Sequence, residues 1–233
     1  MSRGFMTAAL VVLVAAFFAA SGSALSAQPR PRLVVKPAEG HAGEIVYLSG
    51  AGFPASSRLS LTVACGGGKR QTISTVARGP ATDARGQFVA YPLQTLRLPV
   101  RQPATCRITA RLGSAALTSA AFIMVPSRRP LSPCAVRICV TTTAVLVRVR
   151  SGAWGDIAIR GWPGAKVDVR VIPAARSAKG RSIRLDWQGA GALRIWVAPG
   201  LKQALRARLL VSAHLGRFSG NGTGTFAVMP GGR

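Results

Sequence analysis

From Arg58 to Cys65 polar and apolar residues take turns, with Leu59, Leu61, Val63 and Cys65 on one side and Arg58, Ser60 and Thr62 on the other. A period of two belongs to a strand with one buried face. The same alternation sets Val167, Val169 and Val171 against Lys166, Asp168 and Arg170, and sets Cys106, Ile108, Ala110 and Leu112 against Arg107, Thr109 and Arg111. About seven such short runs fall in each half of the chain, parted by Gly, Pro, Asn, Asp or Ser turns, which predicts two-sheet antiparallel sandwiches. Residues 200–211 fit two patterns: Leu201, Leu205 and Leu209 have helical spacing, whereas Ala207, Leu209, Val211, Ala213 and Leu215 have strand spacing. The strand is preferred because the matching segment of the first half alternates, leaving room for one helical turn before it.

The halves match each other. GFPASSRLSLTV (Gly52 to Val63) faces GWPGAKVDVRVI (Gly161 to Ile172), and ARLGSAALTSAAFIMVP (Ala110 to Pro126) faces AHLGRFSGNGTGTFAVMP (Ala213 to Pro230). TDARGQFVAYPL (Thr82 to Leu93) faces LDWQGAGALRIWV (Leu185 to Val197) more loosely. A period of roughly 105 residues is the size of a sandwich domain rather than of a solenoid repeat. The expected organisation is residues 1–27 as a signal peptide, 28–126 as the first sandwich, 127–144 as a linker with a small disulfide loop, and 145–233 as the second sandwich. In the repeated corner, Gly52 or Gly161 permits the turn, Phe53 or Trp162 plugs the end of the core, and Pro sets the entry to the next strand.

These turns resemble those of the bacterial immunoglobulin-like repeats of secreted and surface proteins, the IPT/TIG-like kind. The likeness lies in Pro37, Gly40 and Gly43 before a strand, then S-G-A-G-F-P, T-D-A-R-G-Q-F and a closing F-x-x-V strand. A weaker resemblance, carried by the corner, V-A-C at Val63 to Cys65 and the strand-opening Cys106, is to the neocarzinostatin-type apoproteins. The chain departs from that family in being doubled and in lacking its close partner cysteines. Both resemblances imply all-β immunoglobulin-like sandwiches that bind or space, and neither supplies catalytic residues.

Arg3 ahead of TAALVVLVAAFFAA and SGSALSA reads as a signal peptide, cleaved after Ala27 or Ala24, since the apolar run is short of the roughly 20 residues a spanning helix needs. The predicted location is extracytoplasmic: periplasm, cell surface or medium. Four cysteines suit that route. Cys65 and Cys106 share core-facing parity on neighbouring antiparallel strands and are expected to pair. Cys134 and Cys139 would lie about 16 Å apart if extended, so pairing them requires the segment to fold back.

Six carboxylates and two solitary histidines, His41 and His214, leave little for acid–base or metal chemistry. Asp83 reads as a turn residue, and Asp168 and Asp186 as charge partners on outer strand faces. GGGK (Gly66 to Lys69) reads as a turn rather than a phosphate loop. No catalytic, cofactor-binding or metal site is expected.

Charge is the outlier, with 31 Lys plus Arg against 6 Asp plus Glu. Arg148, Arg150, Lys166, Arg170, Arg206 and Arg208 hold outward strand positions and would form one cationic face if their strands share a sheet. Such a face suits anionic envelope polymers, phospholipid head groups or nucleic acid. An Arg-rich composition would also produce it with no ligand at all, and no aromatics interleave with the basic residues as on single-strand nucleic-acid platforms. The expected function is a non-enzymatic secreted or surface module for binding, adhesion or spacing, with polyanion binding through the second sandwich as the alternative and small-ligand carriage third.

Overall fold

A computed structural model describes residues 29–66, 72–76, 78–144, 148–172, 181–200 and 202–231. The expected signal peptide and most of the GGGK turn lie outside the described residues. The first half contributes β1 (Arg32–Lys36), β2 (Glu39–His41), β3 (Ile45–Ala51), β4 (Ser60–Cys65), β5 (Thr72–Val76), β6 (Phe88–Gln94), β7 (Ala104–Leu112) and β8 (Ala115–Val125). A single turn of helix, α1 (Pro133–Val136), follows. The second half contributes β9 (Thr141–Ala144), β10 (Arg148–Arg150), β11 (Trp154–Arg160), β12 (Lys166–Ile172), β13 (Arg181–Arg184), β14 (Ala190–Trp196), β15 (Leu205–Leu215) and β16 (Phe218–Met229).

One topology occurs twice. The first half layers a sheet of order β1-β3-β6 on one of order β2-β8-β7-β4-β5, and the second layers β9-β11-β14 on β10-β16-β15-β12-β13. Each is an immunoglobulin-like sandwich, antiparallel except that β2 runs parallel to β8 and β10 to β16. Among the described residues eight strands stand in each half, against an expected seven or so. β2 has three residues, too few for alternation to reveal, whereas β10, equally short, holds the outward positions expected of Arg148 and Arg150.

The alternating positions fill two cores. Val46, Leu48, Leu59, Leu61, Ile108 and Phe122 are buried in the first, and Ile157, Ile159, Val167, Leu185, Leu209 and Val211 in the second. Burying each such side chain contributes about 1.5–3 kcal/mol before entropy is charged against it. The corner aromatics Phe53 and Trp162 are buried, one in each core. Residues 205–215 form strand β15, and residues 202–204 carry no helical turn.

The loosely matched middle segments hold one turn in common. Asp83 Oδ1 accepts the N–H groups of Arg85 and Gln87, each at 2.8 Å, and Asp186 Oδ1 accepts those of Gln188 and Ala190 at the same distance. Asp186 is thus a turn residue rather than a charge on an outer strand face. Inside each turn a glycine meets the corner: a Cβ on Gly86 (φ +69°) would lie 1.9 Å from the Phe53 carbonyl oxygen, and one on Gly189 (φ +76°) 2.0 Å from that of Gly161.

The connector differs from its expectation in one respect. Cys134 and Cys139 are bridged around α1, giving the small loop, and Cys65 is bridged to Cys106 directly across β4 and β7. Yet Thr141–Ala144, assigned to the linker, is strand β9 and pairs with β11. Residues 138–142 press so closely on β16 that a side chain at Gly220 or Gly222 would strike the carbonyl oxygen of Ile138 or Val140.

Glu44, Tyr47 and Ala90 join the halves. Tyr47 meets Phe218 edge to face at 6.2 Å, Glu44 Oε1 lies 3.0 Å from Arg217 Nη2, and a Cβ on Gly164 would come within 2.6 Å of the Ala90 methyl. The outer side of the β1-β3-β6 sheet is thereby covered in part by the second sandwich. Among the described residues, no such contact covers the equivalent side of β9-β11-β14.

Candidate functional site: a cationic sheet face

The register of the five-stranded sheet in the second half decides where its charges lie. Val149, Val167, Val169, Leu209, Val211 and Val228 point into the core, so the residues between them point out. Arg148 and Arg206 face each other across Ala227 of β16, about 10 Å apart by two strand spacings. Arg208 opposes Thr225 and Ile172, and Arg170 opposes Leu210 one row further on. Arg150 extends the band beyond Arg148. At the far end Lys166 stands between His214 and Arg184.

All six basic residues singled out from the sequence are exposed and occupy this one outer face. Arg184 joins them. Its strand was not distinguished from the sequence, although Ile183 pointing inward opposite Val167 implies that Ser182 and Arg184 point outward. Asp168 is the acidic strand residue of the face. Among the described residues, ion pairs join Arg194 to Asp156 and Arg217 to Glu44, and none within 4 Å neutralises a cation of this face. A depression of about 480 Å³ lies beside Arg170 and Asp168, floored by Ser212, Asn221 and Thr223. Cations, hydroxyls and an amide on one sheet face can grip several anions at once.

The equivalent face of the first sandwich carries fewer charges, with Arg58 just ahead of β4 and Glu39 on β2 beside two strand arginines. Its strands present Arg107 and Arg111 among Ser60, Thr62, Thr75, Thr109, Ser119 and Ala121. Arg107 donates to Ser119 Oγ at 3.1 Å and Arg111 donates to the Ser114 carbonyl, so both are held by neighbours, as Arg184 of the cationic face is by the Gly164 carbonyl at 3.3 Å.

Elsewhere the titratable groups stay dispersed: among the described residues no three of His, Cys, Asp or Glu gather to hold a metal ion. Glu39 has a carboxyl held below the ordinary value of 4.5, because it accepts hydrogen bonds from Ser132, with Arg129 adding attraction; burial opposes the shift. That interaction ties the connector to the first sandwich.

No protein-family model matches the chain, and no curated protein matches it. Among solved structures, the chain is similar to red sea bream transglutaminase at 11% identity and a TM-score of 0.28, over 87% of this chain and 32% of that one. It is similar to Salmonella alpha-2-macroglobulin reacted with methylamine at 14% and 0.34, over 87% and 15% respectively. The adhesin InvE of Yersinia pseudotuberculosis gives 14% and 0.30, over 84% and 58%. The chain spans less than two thirds of the length of each.

Proposed function

We propose that the protein is a non-enzymatic, extracytoplasmic binding module that holds anionic polymers of a cell envelope against the outer face of its second five-stranded sheet. The observation that carries this reading is the contrast between two equivalent faces of one chain, seven basic strand residues on one and two on the other. An Arg-rich composition acting alone would load both faces alike. Guanidinium forks bind phosphate or carboxylate oxygens in pairs, and a rigid sheet fixes the forks at strand spacing without a folding cost on binding. The two disulfides suit an oxidising compartment.

Retention on a polyphosphate matrix across a salt series tests the assignment. Arg206→Ser with Arg208→Ser should elute at markedly lower salt and flatten the salt dependence by roughly one unit per residue removed, while Arg107→Ser with Arg111→Ser should elute like the wild type. Equal losses from the two double variants would reduce the face to generic charge. Tighter retention on nucleic acid than on a polyphosphate of equal charge density would replace the envelope polymer as ligand.

A further inference from the structure

The outer side of the β9-β11-β14 sheet carries a second set of features that the cationic face does not use. Trp154, at the start of β11, is 44% exposed and lies opposite Trp196 of β14, the rings 5.3 Å apart. The Arg194 guanidinium sits 5.8 Å from the Trp154 ring centre, and its Nε is 3.5 Å from Asp156 Oδ1, so that acid is already balanced. Further along the sheet the side chains shrink to Ala158, Ala192 and Thr143, which are cross-strand neighbours and form a low floor. At its end Arg160 opens into a cleft of about 740 Å³ between the two sandwiches, where Arg32, Thr118, Ser119, Trp187 and Gln188 also line the wall. Six strand steps from Trp154 to Arg160 make the strip about 20 Å long.

We infer that this strip binds an acidic polysaccharide, whose sugar rings stack on Trp154 and Trp196 while its carboxylates meet Arg160 and Arg32 in the cleft. Indole faces match the C–H faces of pyranose rings and keep a polar edge in water. Among the described residues no carboxylate lies within 4 Å of Arg32 or Arg160, and the cleft's hydroxyls and amide supply partners for sugar hydroxyls.

A second copy of the chain is a poorer occupant. In the first sandwich the equivalent sheet side receives the second sandwich through Glu44–Arg217 and Tyr47–Phe218. The corresponding positions of the open strip are Ala153 and Asp156, and those of the free β7–β8 turn are Ser114 and Ala115, so neither contact can recur. The net charge of +25 also opposes self-association.

Titration with polygalacturonate at about 0.5 M salt, where screening shortens charge attraction to roughly 4 Å, separates this strip from the cationic face. Tryptophan fluorescence should change on binding, and Trp154→Ala and Arg160→Ser should each weaken binding by about tenfold. Arg206→Ser with Arg208→Ser should bind as the wild type does at that salt. Both substitutions in the strip are at exposed sites, and an unchanged melting profile confirms the fold of each variant. Wild-type affinity in Trp154→Ala and Arg160→Ser, equal binding of a polyphosphate of the same charge density, or a dimer dissolved by Trp154→Ala would each overturn the assignment.

Discussion

The two sandwiches share strand order, corner and Asp turn but diverge wherever side chains leave the scaffold. Outside the five-stranded sheets, the first half shows hydroxyls, alanines and two tethered arginines, and the second shows seven basic residues. Outside the three-stranded sheets, the first is partly covered by its neighbour and the second carries a tryptophan pair with no such cover among the described residues. Inside, the divergence is covalent: the cross-strand site bridged by Cys65 and Cys106 corresponds to Val171 and Leu209, an apolar pair. The backbone frame therefore constrains what packs between the sheets and leaves their outer faces free to specialise.

The covalent difference gives the largest expected effect. Replacing Cys65 and Cys106 by Ala should destabilise the first sandwich by about 4 kcal/mol, the loop-closure value for their separation, and leave the second unchanged. Leu209→Ala should do the converse, costing the second sandwich about 2–5 kcal/mol. Calorimetry reads both as the displacement of one of two transitions. A single transition lowered by either variant would show that the junction at Tyr47 and Phe218 makes the halves melt together, and the comparison would then apply to surfaces alone.

The scaffold was legible in the sequence because alternation and turn chemistry are local. Leu59, Leu61 and Val63, or Val167, Val169 and Val171, declare their faces within a few residues. The gathering of Arg148, Arg170 and Arg206 on one face could be stated conditionally, since parity fixes direction but strand order is non-local. The junction was not legible. Tyr47 and Phe218 are far apart in sequence, and nothing in either segment marks it as half of a contact. Trp154 and Trp196 were hidden for the same reason: each stands alone in its strand, and pairing them takes the register of β11 on β14. Asp186 was misplaced because its neighbours offered a plausible strand, whereas its role depends on the N–H groups of Gln188 and Ala190 turning back toward it.

A smaller effect tests whether the common turn does the same work in both halves. Gly86→Ala and Gly189→Ala each put a methyl about 2 Å from a carbonyl oxygen at a backbone angle that alanine avoids, so each should cost its own sandwich about 3 kcal/mol. Matched displacements of the two transitions would confirm equivalent turns. A large loss from one and little from the other would mean that one corner yields and that the resemblance of the Asp turns is superficial.

The smallest effect concerns the two shortest strands, β2 and β10. Equivalent positions hold Glu39 in β2 and Arg148 in β10, so a site that tethers the connector in one half serves the cationic face in the other. Because hydrogen bonds from Ser132 lower the Glu39 pKa in the folded protein, its contribution is fully present above the ordinary value of 4.5 and is lost as pH falls through the depressed folded value. Glu39 is half-buried and its hydrogen bonds run to Ser132 of the connector, so the loss should loosen the connector rather than unfold a sandwich. At neutral pH, Glu39→Gln should speed tryptic cleavage after Arg128 by a few-fold relative to the wild type, with both thermal transitions unchanged. Hydrogen exchange of the Ser132 amide should quicken relative to pH-matched exposed amides as pH falls in the wild type, but not in Glu39→Gln. An equal pH response in both proteins would assign the connector's anchorage to the Cys134–Cys139 loop and the packing of Ile138 beneath β16, leaving the charge difference between β2 and β10 a property of the cationic face alone.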